Sequence, residues 1–422
     1  MEPPDAVTSM RPSKASHFDL LGGTLGTVTG LVDDVTGQVR IIVGFRDNSV
    51  SASQIASRYQ IASRYQYDTV FPGMSGSVSL TDLPGTLARM AADPDVGWVE
   101  YDLKLTLVTD LLNTVQGLLG TTTGLLGGLL SGSFTTQTVP WSLKNIGATR
   151  SSARSGNRRG SVDVDVYLVD TGAHHSDLDV EDCLTIDERG AHSCDLLGAL
   201  DLNAHGTGVA GIAAAKDNRS GIVGVAPGAR VHVIKALDDA GTADLSTIIA
   251  VVDYLTKVKQ QHPARPMVVN MSLGANVGTS EYGALDRAVQ ASIASGVVYV
   301  LASGNEAVNA ANITPAHVNE AITVGSYGES GRYSRFSNYG SVVDILAPGE
   351  DVETLSSGNG ISHISGTSIA APHVAGAAAL LLSRHPRLSP SAVRETLVRH
   401  GRAAITGAPS GTTNIRVDVS DF

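Results

Sequence analysis

From Pro140 onward the chain alternates two kinds of segment, and that alternation limits the fold more than any other feature. Short β-branched apolar runs (VDVDVYLVD, VHVIKALDD, PMVVNMSLG, VVYVLASGN, EAITVGSY and VVDILAPG) are separated in several places by stretches with helical spacing, such as LSTIIAVVDYLTKVKQQ and EYGALDRAVQASIASG. Strands apolar on both faces, interleaved with helices, predict an α/β fold: a mostly parallel sheet sandwiched by helices. Such sheets carry their chemistry at the carboxyl ends of the strands. A length of 422 residues is ample for a large core and points to more than one domain.

Four segments are expected. Residues 1–37 form an N-terminal segment of low order; MEPPDAVTSMRPSKASHFDL has no compact apolar core after a basic start, so it does not read as a signal peptide. Residues 38–104 read as a small α+β unit. In it QVRIIVGF is a strand, SASQIASRYQIASRYQ a helix, VFPGMSGSVSL a hairpin, TDLPGTLARMAADP a second helix and VGWVEYD a last strand. Within this stretch QIASRY occurs twice in succession, at 54–59 and 60–65; six residues are not a whole number of turns, so the copies cannot present one face, and one copy is expected in a longer helix or a loop.

Residues 105–136 are a Gly/Leu-rich linker, and 137–422 the large α/β domain. In 107–132, glycines 120, 124, 128 and 132 fall every fourth residue, a spacing that lets helices approach closely in a membrane. The threonines, a Gln and an Asn, and the helix cost of so many glycines favour a flexible linker over a membrane-associated segment.

The net charge of −11 argues against nucleic acid as a partner. Cys183 and Cys194 are too far apart for a redox CxxC pair. With His192, His174 and His175 near, zinc would still lack ligands. The choice lies between a disulfide closing a surface loop, which implies an oxidising compartment, and two free thiols.

Several strand and helix ends carry reactive residues: Asp170 ends VYLVD, Asn305 ends VVYVLASGN, His205 opens HGTGVAGIAAA, and Ser368 opens a long apolar helix. Taken singly, each has an ordinary structural explanation as a turn, cap or core residue. The aspartic-protease reading of Asp170-Thr171-Gly172 fails because no second D-T-G or D-S-G exists. The nucleophile elbow of α/β-hydrolases fails because Ala370 follows where Gly is needed. Taken together they form a mechanism. A serine needs an adjacent base, histidine titrates near neutrality, and a buried carboxylate fixes its tautomer. Asn305, the Ser368 amide and the helix N-terminus would all favour a developing oxyanion.

In the order Asp170, His205, Ser368, and in the segments VYLVDTG, AHGTGVAG, ALDDAGTADLS, NMSLG, ASGN, SRFSNYGSVVDILAPG and SGTSIAAPHVAG, the sequence resembles the subtilisin-like serine proteases, within them the proteinase K group. The resemblance implies a serine endopeptidase with Asp170, His205 and Ser368 as triad and Asn305 as oxyanion donor. Ser272, Leu273 and Gly274, with Gly241, Thr242 and Ala243, would bind an extended peptide as an added strand, with Ser303 and Gly304 beside them. It implies protein or peptide substrates, broad specificity with an apolar residue before the scissile bond, and 38–104 as an inhibitory propeptide cut away near 105–110, near 131–137, or at both. It also implies secretion; the rivals are a non-catalytic relative and an intracellular protease. No cofactor is required. Calcium is common in the group, but its usual Asp stands as Gly328 here, so that site is incomplete and no metal ligand set is assigned. Gly208 stands for a second histidine, a change expected to loosen the support of His205. Ile369 stands for a methionine, and Val209 for a cysteine.

Overall fold

A computed structural model describes the backbone of residues 32–33 and all of residues 37–108, 136–194 and 200–422. The N-terminal segment, apart from its end, and the Gly/Leu-rich run from 109 to 135 lie outside the described residues.

The first unit is an antiparallel sheet with two helices. It comprises β1 (Gln38–Phe45), α1 (Ala52–Tyr59), β2 (Ala62–Tyr67), β3 (Gly73–Ser79), α2 (Leu83–Ala92) and β4 (Val96–Tyr101), with strands in the order β2-β3-β1-β4. It has its own core, including Ile41, Val43, Ile55, Met74 and Met90, all buried. Two expectations fail here. The second QIASRY copy is not helical: α1 stops at Tyr59, Gln60 takes a left-handed turn, and Ala62–Tyr67 pairs with β3. And VFPGMSGSVSL is one strand, not a hairpin.

The described residues of the large domain form a ten-stranded sheet. In chain order its strands are β6 (Asp165–Asp170), β7 (Val180–Asp187), β8 (Gly190–Ser193), β9 (Arg230–Lys235), β11 (Met267–Met271), β13 (Val298–Ala302), β14 (Ile322–Tyr327), β15 (Ile345–Pro348), β18 (Arg402–Ala403) and β19 (Ile415–Arg416). The spatial order is β18-β19-β15-β14-β13-β11-β6-β9-β7-β8, parallel except for the two outermost pairs. Each central strand is buried on both faces because helices cover both. On one face lie α3 (His205–Ala214) and α6 (Thr367–Arg384), whose small residues let them pack together against the sheet; α7 (Pro390–His400) packs on α6. On the other lie α4 (Leu245–Gln261) and α5 (Ala284–Ala294). The α/β expectation is met. Cys183 and Cys194 form a disulfide, S–S 2.03 Å, across the β7–β8 edge hairpin.

The small unit sits on α4 and α5. Ile42, Tyr65 and Tyr67 join the apolar cluster of those helices, and the Tyr67 hydroxyl donates to the Ser246 carbonyl at 3.1 Å. Two carboxylates dock at the helix starts, where free amides and the helix dipole favour anions. Glu100 accepts from the Ala284 amide at 2.7 Å, and Asp102 from the amide and hydroxyl of Ser246 at 2.8 and 2.7 Å. The segment expected to begin the linker instead begins as β5 (Lys104–Leu107). It runs antiparallel between β10 (Thr242–Asp244) and β12 (Leu273–Asn276), bonded to both.

Candidate active site

Asp170 ends β6 and His205 opens α3, both fully buried. The His205 Nδ1 lies 2.8 Å from Asp170 Oδ1. Such closeness depends on Gly206: a Cβ there would lie 1.9 Å from the Gly172 carbonyl. Burial alone would depress the imidazole; Asp170, and beyond it Asp201, outweigh burial, and the pKa lies above the usual 6.5. The far nitrogen of His205, Nε2, and the Ser368 Oγ are buried and neither has a hydrogen-bond partner among the described residues. One nitrogen is therefore fixed by a carboxylate while the other is free to move a proton.

Ser368 is the second residue of α6, whose residues 367–382 are all buried. Its carbonyl accepts from the Ser272 hydroxyl at 2.9 Å, and Ser272 in turn accepts from Asn270 at 3.0 Å, so the turn carrying the hydroxyl is tied to the end of β11. The opening glycine has a steric reason: a Cβ on Gly366 would lie 2.9 Å from Ser368 Oγ, 3.1 Å from Asn305 Nδ2 and 3.1 Å from the Val108 carbonyl oxygen. Three reactive atoms thus surround one point.

Asn305 is oriented by its oxygen, which accepts the Thr367 amide and hydroxyl, each at 2.9 Å. That leaves the amide nitrogen to donate to Val108 O at 2.8 Å. Val108 arrives there from β5. The Leu107 amide donates to Gly241 O at 2.9 Å and the Val108 amide to Ser272 O at 3.1 Å; Thr242 and Ala243 pair with Thr106 and Leu105, and Leu273 and Gly274 with Leu107 and Thr106. Ser303 and Gly304 lie one layer back: Ser303 donates to Asn338 O, and the Gly304 amide to Thr367 Oγ1.

Two residues the sequence did not single out belong to this site. Val108 lay in the expected linker. Asp201 is buried and accepts from Thr171 Oγ1 (2.8 Å), the Ala204 amide (3.0 Å) and both the amide and hydroxyl of Thr207 (2.7 Å each). It thereby ties the residue after Asp170 to the turn carrying His205. Its only signal was its place four residues before His205, in a chain with 41 acidic residues.

The substituted positions lie in close surroundings. Above Gly208 lies the hairpin of β16 (Val352–Ser356) and β17 (Gly360–Ile364): a Cβ would meet Ile364 at 3.0 Å and Thr354 at 3.2 Å, and Thr354 donates to the Gly208 carbonyl at 2.6 Å. At Gly328 a Cβ would lie 2.5 Å from a Glu350 oxygen. Ile369 is fully buried.

Known proteins resemble this chain in sequence and fold. The subtilase family model matches residues 162–413. Subtilisin DY of Bacillus licheniformis is 36% identical over 266 residues, 62% of this chain and 90% of its own. Subtilisin-like protease 2 of Pseudogymnoascus destructans is 34% identical over 347 residues, 81% of this chain and 77% of its own. The crystal structure of a cold adapted subtilisin-like serine proteinase, 31% identical, superposes with a TM-score of 0.54 over 66% of this chain and 97% of that one. The chain belongs to the subtilase family and is a serine endopeptidase.

Proposed function

We propose that the protein is made as a zymogen that cuts itself after Val108, with Asp170, His205 and Ser368 as its triad and Asn305 as oxyanion donor. The observation that carries this reading is the bond from Asn305 Nδ2 to the Val108 carbonyl oxygen, made by a residue already held in an antiparallel strand. Ser368 Oγ attacks the Val108 carbonyl carbon while His205 Nε2 takes its proton. Asn305 and the Ser368 amide stabilise the oxyanion. The C–N bond breaks, His205 returns the proton to the leaving amine, and water then hydrolyses the Val108 ester by the same route. Asp170 holds Nδ1 throughout.

Residues 38–104 are the inhibitory propeptide, and 137–422 the catalytic domain. Peptide substrates take the place of Leu105–Val108 between β10 and β12, read through their backbone. Val108 and Leu105 are buried among apolar side chains, which supports a preference for apolar residues first and fourth before the cut. The disulfide supports an oxidising, extracellular setting. No helix among the described residues is long and apolar enough to cross a membrane.

Calcium is common in the family. The residues around Asp177 fit such an ion. The carboxylate is buried with one oxygen unpartnered, and burial pushes its pKa up to about 6. Asn218 bonds its other oxygen, and Gln137 donates to the Lys216 carbonyl at 2.8 Å and the Ile222 carbonyl at 3.3 Å. With the two amides turned, Asp177, Asn218, Gln137 and these carbonyls offer the oxygen set a hard cation needs. The ion would add stability and no catalytic step.

N-terminal sequencing tests the reading. The wild-type chain should yield a species beginning at Thr109, and Ser368→Ala should stay uncut. An uncut wild type that resists a fluorophosphonate probe would favour the non-catalytic rival and overturn it. Maturation with no species beginning at Thr109 would remove the Val108 cut.

A further inference from the structure

Asp244 ends β10 and is the N-cap residue of α4. A carboxylate there ordinarily bonds the amides of its own first turn. This one does not: Asp102 takes the Ser246 amide and hydroxyl. The Asp244 carboxylate faces three cations instead, Lys104 Nζ at 2.6 Å, Arg64 Nη1 at 2.6 Å and Arg40 Nη2 at 3.1 Å. All three come from 38–104. Among the described residues no Lys or Arg of 136–422 is ion-paired with it. Once the propeptide leaves, a carboxylate only 8% exposed stands open at the far end of the cleft.

Lys104 differs in kind from the two arginines. It lies on β5, directly opposite Asp244 in the strand register. Any extended peptide bound between β10 and β12 in that register, with its scissile bond where the bond after Val108 lies, brings its fifth residue before the cut to the Lys104 position. We propose that Asp244 is a specificity-determining residue of the mature enzyme, selecting substrates with Lys or Arg at the fifth residue before the scissile bond. The inference rests on the reading of Leu105–Val108 as a bound substrate. A Glu in that position meets a like charge, and Gln brings neither gain nor repulsion. The pair lies at the rim of the cleft, so its effect is modest and falls with added salt.

The test uses the full chain after maturation and four internally quenched peptides sharing Leu-Thr-Leu-Val before the cut, preceded by Lys, Arg, Gln or Glu. The expected order of kcat/KM is Lys and Arg above Gln above Glu, with roughly two- to fivefold between steps at low ionic strength, shrinking at high salt. Asp244→Asn flattens the order. Equal rates for the Lys and Glu peptides, as expected if the freed Asp244 turns back to cap α4, overturn the proposal; so does an order that survives Asp244→Asn. If no peptide is cut, the proteolytic reading fails, and the pair is judged without catalysis. In the Ser368→Ala chain, Lys104→Glu then speeds hydrogen exchange of the 105–107 amides several-fold while Lys104→Arg does not. Identical exchange in the two variants overturns the proposal.

Discussion

Asp201 Oδ2 accepts both the amide and the hydroxyl of Thr207 at 2.7 Å, two residues past His205. The same carboxyl group reaches Thr171, beside Asp170, so a second buried acid stands behind the imidazole; burial raises its own pKa, and the bonds from Thr207 and Thr171 favour its ionised form. It favours the imidazolium, and in its proposed role as base His205 must be neutral. The acid limb of kcat/KM therefore lies above pH 6.5 in the wild type. Asp201→Asn, which removes the charge at the cost of one backbone hydrogen bond, moves that limb to lower pH. A pH–rate profile reads this directly, and an unmoved limb would leave Asp201 a purely structural bond acceptor.

Asn305→Ala removes the donor to the Val108 carbonyl oxygen and leaves Asp170, His205 and Ser368 in place. Turnover is expected to fall by about 10²–10³, the loss that removing this donor causes in a subtilisin, with KM little changed. A loss confined to KM would mean that Asn305 binds the ground state rather than the oxyanion.

His373 is buried within α6, and burial pulls its pKa down to about 4. The unfolded chain protonates this residue near 6.5, so between pH 6.5 and 4 the unfolded state binds more protons and stability falls as pH falls. The full difference is about 3 kcal/mol. His373→Leu should flatten the fall of Tm over this window; an unchanged slope would assign the acid sensitivity to other groups.

Ile369 follows Ser368 and carries no oxidisable sulfur. Met267 and Met271, the methionines of the large domain, are buried. Activity should survive mild peroxide that inactivates an Ile369→Met variant. Equal sensitivity of the two proteins would place the oxidised group elsewhere. Thiol reagents should not inhibit, since Val209 has no sulfur and Cys183 and Cys194 are joined.

A chelator should lower Tm, and Asp177→Asn should abolish the chelator's effect while raising the stability of the metal-free chain, because a buried unpaired charge has been removed. A Tm indifferent to chelation in the wild type would mean that no cation is held at Asp177.

The large domain was legible because its signals are local. Strands apolar on both faces must be covered by helices, and Asp170, His205 and Asn305 fall at strand or helix ends by spacing alone. What escaped depends on distant partners. The two QIASRY copies are chemically identical, yet Tyr59 ends a helix and bonds Asp93 within the small unit, while Tyr65 lies on a strand and reaches Thr247 of the large domain. Neighbours in space, not propensity, decide between those states. Val108 looked like the edge of a featureless linker because its pairing partners are remote in sequence. Asp201 and Asp177 were two acids among many until the fold enclosed them.

Within the described residues, β10 and β12 meet only through β5, which supplies the bonds that join them. Removing that strand leaves two bare rims facing one slot, each with unspent amides and carbonyls. On the proposed maturation, the cut enzyme takes up any extended stretch of chain in that slot, its own unfolded siblings included. Crowded stocks of it will consume themselves sooner than crowded stocks of the uncut precursor.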